Sequence, residues 1–143
     1  MSDREQAWLD EQPERTTTTT TGWATALADP ATSAALHAIH SHPAHHWTVQ
    51  TLAAQAGLSR AAFSKRFTAL TGQPPLTYLT WWRMTTAAQL LHGSGAPLSE
   101  VATQTGYTSE FAFSNAFKRA YGTAPGRYRR HRQAETRKEQ NPP

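Results

Sequence analysis

Lys65 and Asn115 lie fifty residues apart, each two positions after a phenylalanine in a matching frame: Phe63-Ser64-Lys65-Arg66-Phe67 and Phe113-Ser114-Asn115-Ala116-Phe117. A lysine ammonium suits donation to guanine O6 and N7, and an asparagine amide suits bidentate pairing with adenine. At 100° per residue, a helix that buries Phe63 and Phe67 turns Ala61, Lys65 and Thr68 outward, with Ser64 beside them. The second frame turns Phe111, Asn115 and Lys118 outward, with Ser114 beside them and Glu110 at the same end. Phe111 is an apolar group suited to a thymine methyl. The candidate base-contacting set is therefore Ala61, Ser64, Lys65, Glu110, Phe111, Ser114 and Asn115. Ser59 and Ser109 stand where free N–H groups at a helix start suit a phosphate. Arg60, Arg66, Lys118 and Arg119 flank the two faces, and with the two serines they complete a candidate phosphate-contacting set. Each flanking cation taken singly also fits an ordinary solvated face. Arg127, Arg129, Arg130 and Arg132 beside Tyr128 suit either phosphate contact or a soluble terminal helix.

Other chemistries find little support. The 143 residues include no cysteine, which removes disulfides, thiolate metal sites and cysteine nucleophiles. His37 and His40 are one helical turn apart, but no carboxylate joins His37, His40, His42, His45 and His46 to complete a metal shell. They read as surface histidines around a Pro43 turn, and no metal or cofactor is expected. There is no Gly-rich phosphate loop and no Gly-x-Ser-x-Gly, and in the basic centre Glu100 and Glu110 are isolated carboxylates. No apolar run approaches the ~20 residues of a membrane span, and the polar, acidic start is unlike a secretory signal. A cytoplasmic, non-enzymatic protein is expected. Its charge is unevenly spread. Residues 1–29 hold six acids and two bases, whereas residues 30–132 hold two acids and ten bases. A polycationic centre makes a polyanion the first partner to consider.

These residues need elements to hold them, and the chain supplies the elements twice. Val49, Leu52, Ala53, Gly57 and Leu58 recur 49 positions later as Leu98, Val101, Ala102, Gly106 and Tyr107. Ser59, Phe63, Phe67, Gly72, Pro75 and Tyr78 recur 50 positions later as Ser109, Phe113, Phe117, Gly122, Pro125 and Tyr128. The extra residue falls by Thr108, in a turn. In each copy a short helix ends at a glycine, and a serine caps the next helix. That is the helix-turn-helix pattern. Thr48 caps the first short helix, with Trp47 and Leu52 placed as a hydrophobic staple. The buried stripes are Phe63, Phe67 and Leu70 in one copy and Phe113, Phe117 and Ala120 in the other. Residues 76–92 form a connecting helix apolar on two sides, roughly 25 Å long at ~1.5 Å per residue. That length suits two recognition helices near one DNA turn apart, ~34 Å. Arg83, its one charge, fits either an internal brace or a phosphate contact. Asp29-Pro30 starts a helix that Pro43 closes. The expected fold is all-α with about seven helices and no strands. Residues 1–28, with the Thr16–Thr21 run, form an acidic disordered leader or linker, in its strictest extent 1–22. The first helix-turn-helix unit spans 48–70, the second 97–120, and 133–143 form a disordered tail.

Residues 47–130 resemble the DNA-binding domain of AraC/XylS-type transcription regulators. The matching runs are Leu52-Ala53-Ala54-Gln55-Ala56-Gly57-Leu58-Ser59, Arg83-Met84 with Ala88 and Leu90-Leu91, Val101-Ala102 through Gly106-Tyr107, and Phe113 through Arg119, then Gly122, Pro125 and Tyr128-Arg129. The resemblance implies seven helices, with two recognition helices entering adjacent major grooves of double-stranded DNA. It also implies a bacterial, nucleoid-associated regulator, of the activator kind, with RNA polymerase as a further partner. The family usually carries arginine at the position of Asn115, and Ala61 is small for a reading residue. Helix 30–42, preceded by Gly22-Trp23, resembles the segment before this domain in members with a cupin-like sensor. The chain is then either a stand-alone regulator or the C-terminal part of a longer one, and a monomer as it stands. A protein-interaction or anti-regulator module that kept the fold is the alternative. An alkylation-response enzyme fused to this fold is disfavoured by the missing cysteine.

Overall fold

The structure, a computed structural model, describes residues 23–140, and every regular element among them is an α-helix. Eight helices follow in order: α1 Trp23–Ala28, α2 Pro30–Ser41, α3 Val49–Ala56, α4 Arg60–Thr71, α5 Pro75–Gly93, α6 Leu98–Gln104, α7 Glu110–Tyr121 and α8 Pro125–Gln140. The chain divides into two units. One runs to His42 and resumes from Trp47 to Leu79; the other takes Pro43–His46 and continues from Thr80. The long helix α5 is shared, its first turn belonging to the first unit and the rest to the second.

In the first unit α2 packs on α1, α3 and α4, and α1 also meets α4. Leu36, Ile39, Leu52, Phe63, Phe67 and Tyr78 are fully buried there. In the second unit Met84, Ala87 and Leu91 of α5 pack with Val101 and Ala102 of α6 and Phe113, Ala116 and Phe117 of α7. Burying a side chain of this size contributes roughly 1.5–3 kcal/mol. Phe63 meets Phe67 at 5.6 Å and 52°, and Phe113 meets Phe117 at 5.9 Å and 51°. Tyr78 stands edge-on to Phe67 at 5.9 Å, as Tyr128 does to Phe117 at 5.2 Å. The sequence repeat is thus a repeat of packing geometry.

The turns repeat as well. The Leu58 N–H donates to Ala53 O at 3.0 Å and the Tyr107 N–H to Ala102 O at 2.9 Å. The Gly57 N–H donates to Ala54 O at 3.2 Å and the Gly106 N–H to Thr103 O at 3.1 Å. Both turns close by the six-to-one and five-to-two pattern that satisfies the last carbonyls of a helix. It needs a left-handed residue, which Gly57 (φ 71°) and Gly106 (φ 89°) supply.

Three expectations are corrected. Residues 23–28, assigned to the leader, form α1 and bury Ala26, while residues 1–22 lie outside the described residues. The expected tail from 133 is helical as far as Gln140. Its composition is rich in helix formers. Arg132 pairs with Glu135 one turn on, and the Thr136 hydroxyl donates to Arg132 O. With α1 included the described residues hold eight helices, in keeping with the all-α fold of about seven expected. In the α7 stripe the buried alanine is Ala116, and Ala120 is exposed. Helical phase alone would keep Ala120 on the stripe; Ala116 packs into the α5–α6 cluster, whereas Ala120 lies in the last turn of α7, outside that cluster.

Candidate nucleic-acid interface

α4 and α7 are each started by a serine. Ser59 Oγ accepts from the Ala62 N–H at 3.2 Å, and Ser109 Oγ accepts from the Ala112 N–H at 3.0 Å. Each ends at a left-handed glycine, Gly72 or Gly122. The buried phenylalanines fix rotation about the helix axis, and the outward set follows. Ala61 and Lys65 are exposed on α4, and Glu110, Phe111 and Asn115 on α7; Ser64 and Ser114 are half-buried at the edges. Phe111 is 77% exposed. Arg60, Lys118 and Arg119 are exposed and flank these faces. The helix preceding α4 is held by a reciprocal cap: the Thr51 N–H donates to Thr48 Oγ1 and the Thr48 N–H to Thr51 Oγ1. Its counterpart α6 starts at Pro97 with no side-chain cap.

Arg66 stands apart from the other expected phosphate contacts. Its Nε donates to both Asp29 oxygens at 3.0 Å, and a guanidinium nitrogen closes the ion pair. Position 66 corresponds to the buried Ala116, on the flank of α4 that faces α1 rather than on the face that carries Ala61 and Lys65. Asp29 also caps α2, accepting from the Thr32 N–H at 2.9 Å. The Arg66 hydrogen bond holds the Asp29 carboxyl at about 2, well below its ordinary value.

Two further arginines turn inward. Arg83 donates from Nε to Pro43 O at 2.9 Å and from Nη2 to His45 O at 2.8 Å. Of its two readings, the internal brace is the one its hydrogen bonds match. Burial lowers its pKa, and burial raises that of the neighbouring Tyr107 phenol. Arg129 donates from Nε to Leu91 O at 3.1 Å, near the C-terminus of α5. Cations suit that end of a helix. Arg127 and Arg130 are exposed. Nothing in the local sequence separates Arg129 from its neighbours, because only the packing of α8 decides which of four closely spaced arginines meets a carbonyl. Among the described residues no group of three or more His, Asp or Glu is placed to hold a metal ion, and no helix is long and apolar enough to cross a membrane.

A family model described as a helix-turn-helix domain matches residues 52–131, more than half of the chain. A Streptomyces antibioticus protein described as an AraC-like transcription regulator is 48% identical over 118 residues, 82% of this chain and 39% of that protein. The chain belongs to the AraC/XylS family of helix-turn-helix domains. A second relative is the Escherichia coli RCS-specific HTH-type transcriptional activator RclR. It is 39% identical over 103 residues, covering 72% of this chain and 36% of RclR. Among solved structures, the DNA-binding domain of AdpA, a global transcriptional factor, in complex with a target DNA superposes with a TM-score of 0.70 at 36% identity. The match covers 75% of this chain and 96% of that one. The chain spans about two fifths of the length of the Streptomyces relative.

Proposed function

We propose that this chain reads double-stranded DNA sequence-specifically, as the DNA-binding part of a transcription regulator. α4 and α7 each enter a major groove, and the two grooves are adjacent on one duplex. The observation that carries this reading is the matched exposure of Lys65 and Asn115, at equivalent places opposite buried phenylalanine pairs. The AdpA domain, solved on a target DNA, lends the same fold to the argument. Ala61, Ser64, Lys65, Glu110, Phe111, Ser114 and Asn115 face base edges. Ser59, Arg60, Ser109, Lys118 and Arg119 face phosphates, and Arg66 does so only when released by Asp29. The regulator acts in a bacterial cytoplasm as an activator, with RNA polymerase as its second partner. This chain alone binds as a monomer.

Binding-site selection with variants tests the reading. Lys65→Ala weakens specific binding by about 1–3 kcal/mol and relaxes preference at its own base pairs. Asn115→Ala relaxes preference about one helical turn away. Arg119→Ala weakens all sequences alike and lowers the salt slope by about one unit. Lys65→Ala and Asn115→Ala acting on the same base pairs would exclude two grooves. Phe111 favours a second reading, a protein-interaction module, because 77% exposure of a phenylalanine is an apolar patch in search of a cover. That reading expects Phe111→Ala to leave DNA preference untouched.

A further inference from the structure

The two copies differ at the turn glycine. A Cβ added at Gly57 would meet nothing within 4 Å, so its left-handed φ alone demands glycine there. A Cβ added at Gly106 would lie 2.7 Å from Arg83 Nη2, 2.8 Å from Cζ and 2.9 Å from Nε. A point nearly equidistant from three atoms of one planar group lies over its face. The guanidinium therefore lies flat across Gly106, while its N–H groups donate to the Pro43 and His45 carbonyls. One side chain of α5 thus joins the 43–46 segment to the α6–α7 turn, within one unit. The next residue, Tyr107, is half-buried and carries the contact onward. Its ring meets Phe113 of α7 at 5.8 Å, and Phe113 is one of the two residues that set α7's rotation.

We propose that Arg83 is a positioning residue for the second reading helix, acting through Gly106 and Tyr107 without touching DNA itself. The planar fork is required. A lysine ammonium is a compact point charge that cannot hold both carbonyls and present a flat face to a glycine. Among the described residues the first reading helix has no such brace at its turn, so the effect is confined to α7. This proposal rests on the DNA-reading assignment for its functional consequence and on geometry alone for its mechanical one.

The experiment uses the full chain and three variants, Arg83→Lys, Gly106→Ala and Gly57→Ala, with two readouts. Amide hydrogen exchange reports the mechanical part. Arg83→Lys is expected to speed exchange of the Gly106 and Tyr107 amides about tenfold or more, leaving Gly57 and Leu58 unchanged. Unchanged exchange at 106–107, or an equal rise at 57–58, overturns the proposal. Binding-site selection reports the functional part. Arg83→Lys and Gly106→Ala are expected to flatten preference at the base pairs that respond to Asn115→Ala, with those that respond to Lys65→Ala retained. Gly57→Ala serves as the converse control. Equal loss at both groups overturns the proposal. If neither Lys65→Ala nor Asn115→Ala shifts any preference, the DNA-reading faces fail, and the exchange readout still decides the brace. Should Gly106→Ala fail to fold, the same change in an Arg83→Ala background decides. Removing the guanidinium should relieve the added methyl and restore folding; a double variant that stays unfolded while Arg83→Ala alone folds would overturn contact between the two residues.

Discussion

At the residue scale, side chains of one type do different work according to what lies beside them. Arg66, Arg83, Arg119 and Arg129 are four arginines on a basic chain. Arg66 is held by Asp29, Arg83 by two carbonyls and Arg129 by the Leu91 carbonyl, while Arg119 is exposed. The Asp29–Arg66 pair has a pH signature. Asp29 ionises at about 2 in the folded chain against an ordinary 3.8. A carboxyl depressed by folding stabilises the fold fully above its unfolded value and loses that contribution as pH falls toward its folded value. Thermal melts should therefore show part of the stability disappearing between about pH 4 and pH 2. Asp29→Asn keeps the helix cap, since asparagine caps as well as aspartate, but removes the pair. Its melting temperature should lie modestly below that of the parent at pH 5–7 and converge with it near pH 2. A constant gap across that range would assign the stability to something other than the carboxylate.

At the element scale, the ends of the helices carry the information. α4 and α7 are placed by a left-handed glycine before them, a serine cap at their start and another left-handed glycine at their end. Ser109→Ala removes the acceptor for the Ala112 N–H and should cost about 1 kcal/mol of stability, read by urea unfolding. Ser109→Asp keeps that acceptor and adds a charge favourable to the helix dipole, so stability should hold or rise. The same carboxylate would repel a DNA phosphate at the α7 start, so affinity for duplex DNA should fall. Stable Ser109→Asp protein that binds DNA like the parent would remove Ser109 from the phosphate-facing set. The pair of variants thus separates the capping role, which is plain in the hydrogen bonds, from the proposed phosphate role.

At the scale of the whole molecule, charge is sorted along the chain. The acidic residues of 1–29 precede a centre in which ten bases face two acids. DNA affinity should fall steeply with salt, because each neutralised phosphate releases counterions. Deleting residues 1–22 should leave duplex binding intact and the helical circular dichroism signal preserved, since α1 begins at Trp23 and the acidic segment adds only like charge toward DNA. Loss of binding by a truncated chain that remains folded would assign the leader a role in recognition.

Much of this protein is written in its local sequence. Helical period, turn glycines and capping serines act over three to five residues, so the doubled frame shows where α3, α4, α6 and α7 lie and which way Phe63, Phe67, Phe113 and Phe117 face. The outward placement of Lys65 and Asn115 follows from the same phase. Interactions between distant residues are not legible that way. Asp29 meets Arg66 37 positions away, Arg83 reaches Pro43 and His45, and Arg129 finds Leu91. In the sequence these arginines look alike, because a cation's partner is chosen by which helices pack together and where their carbonyls are left unpaired. The short helix at Trp23–Ala28 is of the same kind. Six residues cannot sustain a helix alone, and it exists because α2 and α4 offer it a surface on which to bury Ala26.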